Sequence, residues 1–155
     1  MTSSQPRPAL PLRVWIPGRA RTKGSMRAVG TRGHMVEQVT GSGEWRATVA
    51  RACLEALGAG SGPWGPIVDW RPAGGPVGVN AAFWLPRPKG ARHEGARWAA
   101  QDGRNDLDKL ARNLGDALVD AQVIADDGLI AHWGLWKLWT DDPWSAGVMV
   151  EVVEL

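Results

Sequence analysis

Asn105-Asp-Leu-Asp-Lys-Leu-Ala-Arg-Asn-Leu-Gly-Asp-Ala-Leu-Val-Asp-Ala121, continued by Gln-Val-Ile-Ala-Asp126-Asp127, decides how this chain is read. Apolar residues at 107, 110, 114, 117, 118 and 121 recur at spacings of three and four, which predicts an amphipathic helix. Upstream, Val77 to Leu85 is largely apolar and closed by Pro86, a strand. Downstream, Leu129 to Trp139 and Gly147 to Val153 read as two further strands, turning around Asp141-Asp-Pro-Trp-Ser145. Towards the N-terminus, Leu12 to Pro17 is a first strand that stops at Pro-Gly, and Met35 to Val39 a short second one. Between them and Val77, Glu44 to Leu57 places Trp45, Val49, Cys53, Ala56 and Leu57 at helical spacing, with Gly58 as the stop. Residues 58–76, rich in Gly and Pro, read as a surface loop. The order β(β)αβαββ predicts one α+β domain over residues 12–155, a mixed or antiparallel sheet with two main helices, after a flexible segment 1–11.

Composition narrows the function classes. The 155 residues fit one domain with a sizeable core, and 44% hydrophobic against 22% charged residues is globular rather than disordered. No apolar run approaches the ~20 residues needed to span a bilayer, and Met1 to Pro8 lacks the apolar stretch of a secretory signal. Cys53, alone in the sequence, cannot form an internal disulfide. A soluble cytoplasmic protein is the expectation. The formal charge of +2 hides an asymmetry: residues 1–104 carry 15 Lys/Arg against 6 Asp/Glu, and residues 105–155 carry 3 against 10. The basic part suggests a polyanionic partner. Carboxylates repel phosphate unless a cation lies between them.

The carboxylates concentrate at the two ends of the decisive stretch. A helix over 107–121 is about 22 Å long at 1.5 Å per residue, and the six steps to Asp127, if extended, cover about 20 Å. Folded back antiparallel, Asp127 would arrive beside Asp106 and Asp108 at the helix start. Such a cluster calls for a divalent cation. An all-oxygen site suits Mg²⁺, with Mn²⁺ as a substitute, rather than Zn²⁺. Bound Mg²⁺ together with basic loops points to phosphodiester hydrolysis. Ordinary roles compete at each position. Asp106 can cap the helix, Asp126-Asp127 before Gly128 is common turn chemistry, and Asp108, Arg112, Asp116 and Asp120 step by four as on a solvated, salt-bridged face.

At these residues the sequence resembles the RusA family of Holliday junction resolvases, crossover-junction endodeoxyribonucleases common in phages and prophages. The family pattern, roughly Asp-x-Asp-Asn-Leu-x-Lys, then Asp-Ala-Leu, Asp-Asp and a strand ending in Lys, stands here as Asp106-Leu-Asp108-Lys109-Leu110-Ala-Arg112, Asp116-Ala-Leu118, Asp126-Asp127 and Lys137. The stretch Ile16-Pro-Gly-Arg19-Ala-Arg-Thr-Lys23 is similar to the family's opening strand and basic turn. The resemblance implies that Asp106, Asp108 and Asp127 bind Mg²⁺ with Asp126 close by. It also implies a homodimer making two symmetric cuts in four-way branched DNA, in recombination, repair or phage DNA processing. Arg112 stands at the family's catalytic lysine and keeps the charge, with a forked geometry and little capacity to move a proton. Lys109 replaces an asparagine. These two departures leave open a junction-binding protein with weakened catalysis. A nuclease of the same chemistry acting on flaps or forks also stays open.

Phosphate contacts are expected from Arg19, Arg21, Lys23 and Arg27 in the first basic loop, from Arg87 and Lys89 in the second, and from Lys137. Period two puts Trp133, Leu135, Lys137 and Trp139 on one strand face. Trp98, in the second basic loop, is a candidate to wedge between bases. Cys53 reads as inert packing.

Overall fold

A computed structural model describes residues 5–22, 26–29, 34–37, 41–90, 93–100 and 105–155. Its strands are β1 (Arg7–Pro8), β2 (Leu12–Pro17), β3 (Met26–Val29), β4 (His34–Glu37), β5 (Gly60–Gly62), β6 (Gly65–Ile67), β7 (Trp70–Arg71), β8 (Val77–Pro86), β9 (Ile130–Thr140) and β10 (Gly147–Glu154). Helix α1 (Ser42–Ala56) lies between β4 and β5, and α2 (Leu107–Asp120) between β8 and β9. Short 3-10 turns occupy Asp127–Leu129 and Pro143–Ser145.

Four strands form the main sheet in the order β2-β10-β8-β9. β10 is antiparallel to both neighbours, whereas β9 runs parallel to β8. A parallel pair needs a crossover, and α2 supplies it. The turn at 141–145 therefore does not join a hairpin. The chain leaves the edge strand β9, passes β8 and inserts β10 between β8 and β2. The β(β)αβαββ order holds for the long elements. The short strand expected at 35–39 is β4, paired with β3 in a separate two-stranded sheet. The loop 58–76 contains the β5–β6 hairpin and β7. Within the segment 1–11, β1 pairs with β7, and the apolar Ala9 and Leu10 are buried.

Alternation decides which face is covered. Leu12, Val14 and Ile16 of β2, Val79, Ala81, Phe83 and Leu85 of β8, and Val148, Val150 and Val152 of β10 are buried beneath the helices. Trp45, Val49 and Cys53 of α1 join them, as do Leu110, Leu114, Ala117 and Leu118 of α2. Each large side chain removed from water in this way contributes about 1.5–3 kcal/mol. On β9, Trp133, Leu135, Lys137 and Trp139 are in register with the inward residues Val79, Ala81, Phe83 and Leu85, as period two predicts. The opposite face carries a row across all four strands, Trp15, Met149, Ala82 and Trp136, beside a polar row of Arg13, Glu151, Asn80 and Gly134. There Glu151 accepts Arg13 Nε at 2.5 Å and Asn80 Nδ2 at 3.3 Å. The Arg13 hydrogen bond, then that of Asn80, holds the Glu151 carboxyl below the usual range.

Both helices end in the same way. Past α1, Gly58 adopts φ +74° while Gly58 N donates to Glu55 O and Ala59 N to Leu54 O. Past α2, Gln122 takes φ +60°, with Gln122 N on Val119 O and Val123 N on Leu118 O. These are Schellman caps, the second built on a residue other than glycine.

The outer edge of β9 is partly covered. Trp98 bridges Leu138, with Ala99 N donating to Lys137 O and Trp139 N to Arg97 O. This pins the end of the second basic loop and withdraws unpaired backbone groups from the sheet edge.

Candidate active site

Helix α2 starts at Asp106, whose backbone occupies the N-cap position with extended φ and ψ (−62°, 134°). Its carboxylate makes no capping hydrogen bond and instead meets Lys109 Nζ at 3.4 Å, an (i, i+3) pair. Just upstream, Lys137 reaches from β9 to donate to Asn105 O at 2.9 Å, holding the entry to the helix.

Two turns of α2 at the margin of the core carry the chemistry. Asp108, Arg112 and Gly115, at i, i+4 and i+7, line a cleft of about 370 Å³ with Ala111, Asp127, Ile130, Trp133 and Leu135. Asp108, Arg112 and Asp127 are all exposed, so their charged groups are open to a solute. Trp133 and Leu135 form an apolar wall, lowering the local dielectric on one side.

The return of Asp127 differs from the length estimate. The chain turns at Gln122, and the buried Val123 and Ile124 lie along Ala73. Ala73 N donates to Val123 O, and Ala125 N to Ala73 O. Anchored there, the segment is not fully extended. Asp127 comes to rest beside Gly115, two turns along α2 from Asp108; a methyl placed on Gly115 would touch Asp127 Cβ at 3.7 Å. The structure brings Asp108, Arg112 and Asp127 to one cleft and leaves Asp106 out of its lining. Asp126 lines a neighbouring cleft with Arg46, Asp116, Asp120 and Asp127, and its Oδ1 accepts Gly128 N at 2.7 Å as a turn cap. Asp116 pairs with Arg46 of α1 at 3.7 Å.

Among the described residues, no three His, Cys, Asp or Glu side chains converge as a ligand cluster. Two carboxylates on one cleft, without nitrogen or sulfur donors, nevertheless suit Mg²⁺. That ion keeps several waters and commonly takes one or two protein carboxylates plus substrate phosphate. Asp108 and Asp127 are the two carboxylates that line the cleft.

The basic residues divide by surroundings. Arg19 and Lys89 are exposed, and Arg21 is half-buried. Arg87 is turned inward: its side chain is 18% exposed, and it donates to Asp141 Oδ1 at 2.6 Å, to Ala96 O at 2.7 Å and to His93 O. A phosphate would have to compete with three acceptors that already shape the second basic loop. Lys23 lies outside the described residues; Arg27 is in β3. Trp98 stacks on Trp136 with ring centroids 5.4 Å apart, under the Arg97 guanidinium. Sequence reasoning did not single out Gly115, whose signal is a glycine in the middle of an amphipathic helix. It also missed the pairing of Lys109 with Asp106, which (i, i+3) spacing makes available.

The same elements are matched by a family model. That of endodeoxyribonuclease RusA matches residues 63–152, more than half of the chain, from the β5–β6 hairpin through α2 and its carboxylates into β10. No curated protein matches the chain. Strand β2, the first basic loop and α1 precede the matched region. With the carboxylate helix, the crossover and the closing strands all inside the match, the chain belongs to the RusA endodeoxyribonuclease family.

Proposed function

We propose that this protein is a Mg²⁺-dependent endonuclease that cuts branched DNA, four-way junctions above all, as a homodimer making two symmetric nicks. The observation that carries the reading is the sharing of one cleft by Asp108, Arg112 and Asp127 in a chain of the RusA family. Asp108 and Asp127 would hold Mg²⁺, and Mn²⁺ in its place. The ion supplies a water of lowered pKa and charge stabilisation at the leaving oxygen. Arg112, one turn from Asp108, meets the non-bridging oxygens of the scissile phosphate and offsets the charge that develops there. Its guanidinium stays protonated throughout, so it orients and neutralises but does not relay a proton. Trp133 and Leu135 exclude water from one side of the reacting group. The exposed Arg19 and Lys89 meet phosphates of the DNA arms. A two-fold dimer matches the symmetry of a four-way junction.

The test is cleavage of a labelled synthetic four-way junction in Mg²⁺, beside a linear duplex and a flap, with Asp108→Asn as the control. Paired nicks in the junction alone, abolished by D108N, are the expected result. Preferential cutting of the flap would reassign the substrate within the same chemistry, and undiminished cutting by D108N would remove the carboxylate assignment.

One observation favours a second reading. The Lys109 ammonium already stands 3.4 Å from Asp106, where the family has a neutral side chain next to a metal carboxylate. A junction-binding protein with weakened catalysis would show tight junction binding without cutting in either Mg²⁺ or Mn²⁺.

A further inference from the structure

Asn113 is a polar side chain with no exposed surface, on the face of α2 that packs into the core. A buried carboxamide is costly unless its donors and acceptor are used. Here both ends are used, on two segments far apart in sequence. Nδ2 donates to Arg21 O at 3.0 Å, and Oδ1 accepts Ser42 Oγ at 3.2 Å. Thr22 and Ser42, beside these contacts, are buried as well. The two segments lie against each other: Gly41 takes φ +84°, and a methyl built there would meet Arg21 Nε at 3.5 Å.

Between those two segments lie residues 23–40 of the sequence. They carry Lys23, Arg27 and Arg32 against Glu37, and include the antiparallel pair β3 and β4. Arg21 O marks the way out and Ser42 the way back. One amide grips both. It belongs to the residue that follows Arg112, on the helix whose next face lines the cleft.

We propose that Asn113 is a positioning residue that clasps the chain at Arg21 and at Ser42 to α2, fixing where the intervening basic segment leaves and rejoins the fold on the helix of Asp108 and Arg112. A hydrophobic side chain of similar size would fill the same space, but it would not specify where either segment sits. The clasp itself rests on the contacts above. Its effect on DNA rests on the nuclease reading.

The experiment uses Asn113→Leu, which keeps the branched four-atom outline and removes both bonds, and Ser42→Ala, which releases only the returning segment. The full chain without DNA is digested with trypsin under native conditions, and early cuts are mapped by mass. Cutting after Lys23, Arg27 and Arg32 is expected to accelerate about tenfold in N113L and less in S42A, as loss of one or two hydrogen bonds implies. Leu114→Ala, chosen for a comparable loss of melting temperature, should speed cutting throughout the chain without that preference. With junction DNA in Mg²⁺, N113L should raise KM about tenfold and leave kcat within about twofold, because the attachment of the basic segment changes and the cleft does not. Unchanged early cutting in a folded N113L overturns the proposal, and so does a fall in kcat with KM unaltered. Should N113L fail to fold, unchanged cutting in S42A overturns it equally. Selective proteolysis in a protein that cuts no DNA upholds the clasp and removes the nuclease reading instead.

Discussion

Asp106 and Asp108 are two residues apart in sequence but meet different surroundings. Asp108 opens on the cleft with Arg112 and Asp127, whereas Asp106 faces Lys109. Asp108→Asn should abolish cleavage while junction binding persists, and Asp106→Asn should cost less; gel-shift and single-turnover assays separate the two effects. If Lys109 competes with a divalent cation for Asp106, Lys109→Asn should lower the Mg²⁺ concentration giving half-maximal cleavage by several-fold. Removing one unit charge at about 4 Å is worth on the order of 1 kcal/mol at an exposed site. An unchanged Mg²⁺ titration would show that Asp106 lies outside metal binding altogether. Asp108 and Asp127 were legible as candidate carboxylates from type and spacing, as was Asp106, and Arg112 only through the family pattern. The cleft was not, because the point to which Asp127 returns depends on the packing of Val123 and Ile124 against Ala73, residues 50 apart in the chain.

Helix α2 shows how much an element reveals of itself. Its apolar positions gave its extent to within a residue, since they are the positions that Leu110, Leu114, Ala117 and Leu118 bury. Its end was less readable. The αL residue there is Gln122 rather than glycine. Gln122→Gly should relieve that conformation, offset in part by the greater freedom of glycine in the unfolded chain, for a net gain of about 0.5 kcal/mol. Thermal denaturation should show a rise of one to a few degrees, about what that increment gives for a domain of this size. A loss of stability would mean that the Gln122 side chain makes a contribution of its own. The partners of β9 and β10 were not legible at all. A short turn between two strands suggests a hairpin, and only the assembled sheet shows β10 closing against β8 and β2 instead.

At the scale of the whole molecule, one core cluster links the sheet to both helices, and Cys53 sits inside it with no exposed surface. Burial pushes its thiol from an ordinary 9.0 up to about 12. The native state thus holds a proton that the unfolded chain releases. The resulting contribution to stability is complete below pH 9 and declines as pH rises from there towards 12. A thiol reagent should label Cys53 only through global unfolding, at a rate that follows added denaturant; rapid labelling of native protein would contradict the burial. Glu151 acts at the opposite end of the scale. Its lowered pKa gives a contribution present above the unfolded glutamate value and lost as pH falls through the folded one. Acid titration of Glu151→Gln beside the native sequence should show a shallower loss of stability below about pH 4.

Parallel pairing of β8 with β9 has a consequence in time. Asp108 precedes the crossover's second strand and Asp127 leads directly into it, so the Trp133–Leu135 wall of their cleft is not in place until Ile130–Thr140 has found Val77–Pro86. A slip of one residue would send Trp133, Leu135 and Lys137 to the far side of the sheet. Non-local pairing of this kind is slow to form. During refolding, helical signal should therefore return well before any DNA is cut. Until β9 is in register beside β8, a chain that already carries its carboxylate helix has no cleft in which to cut.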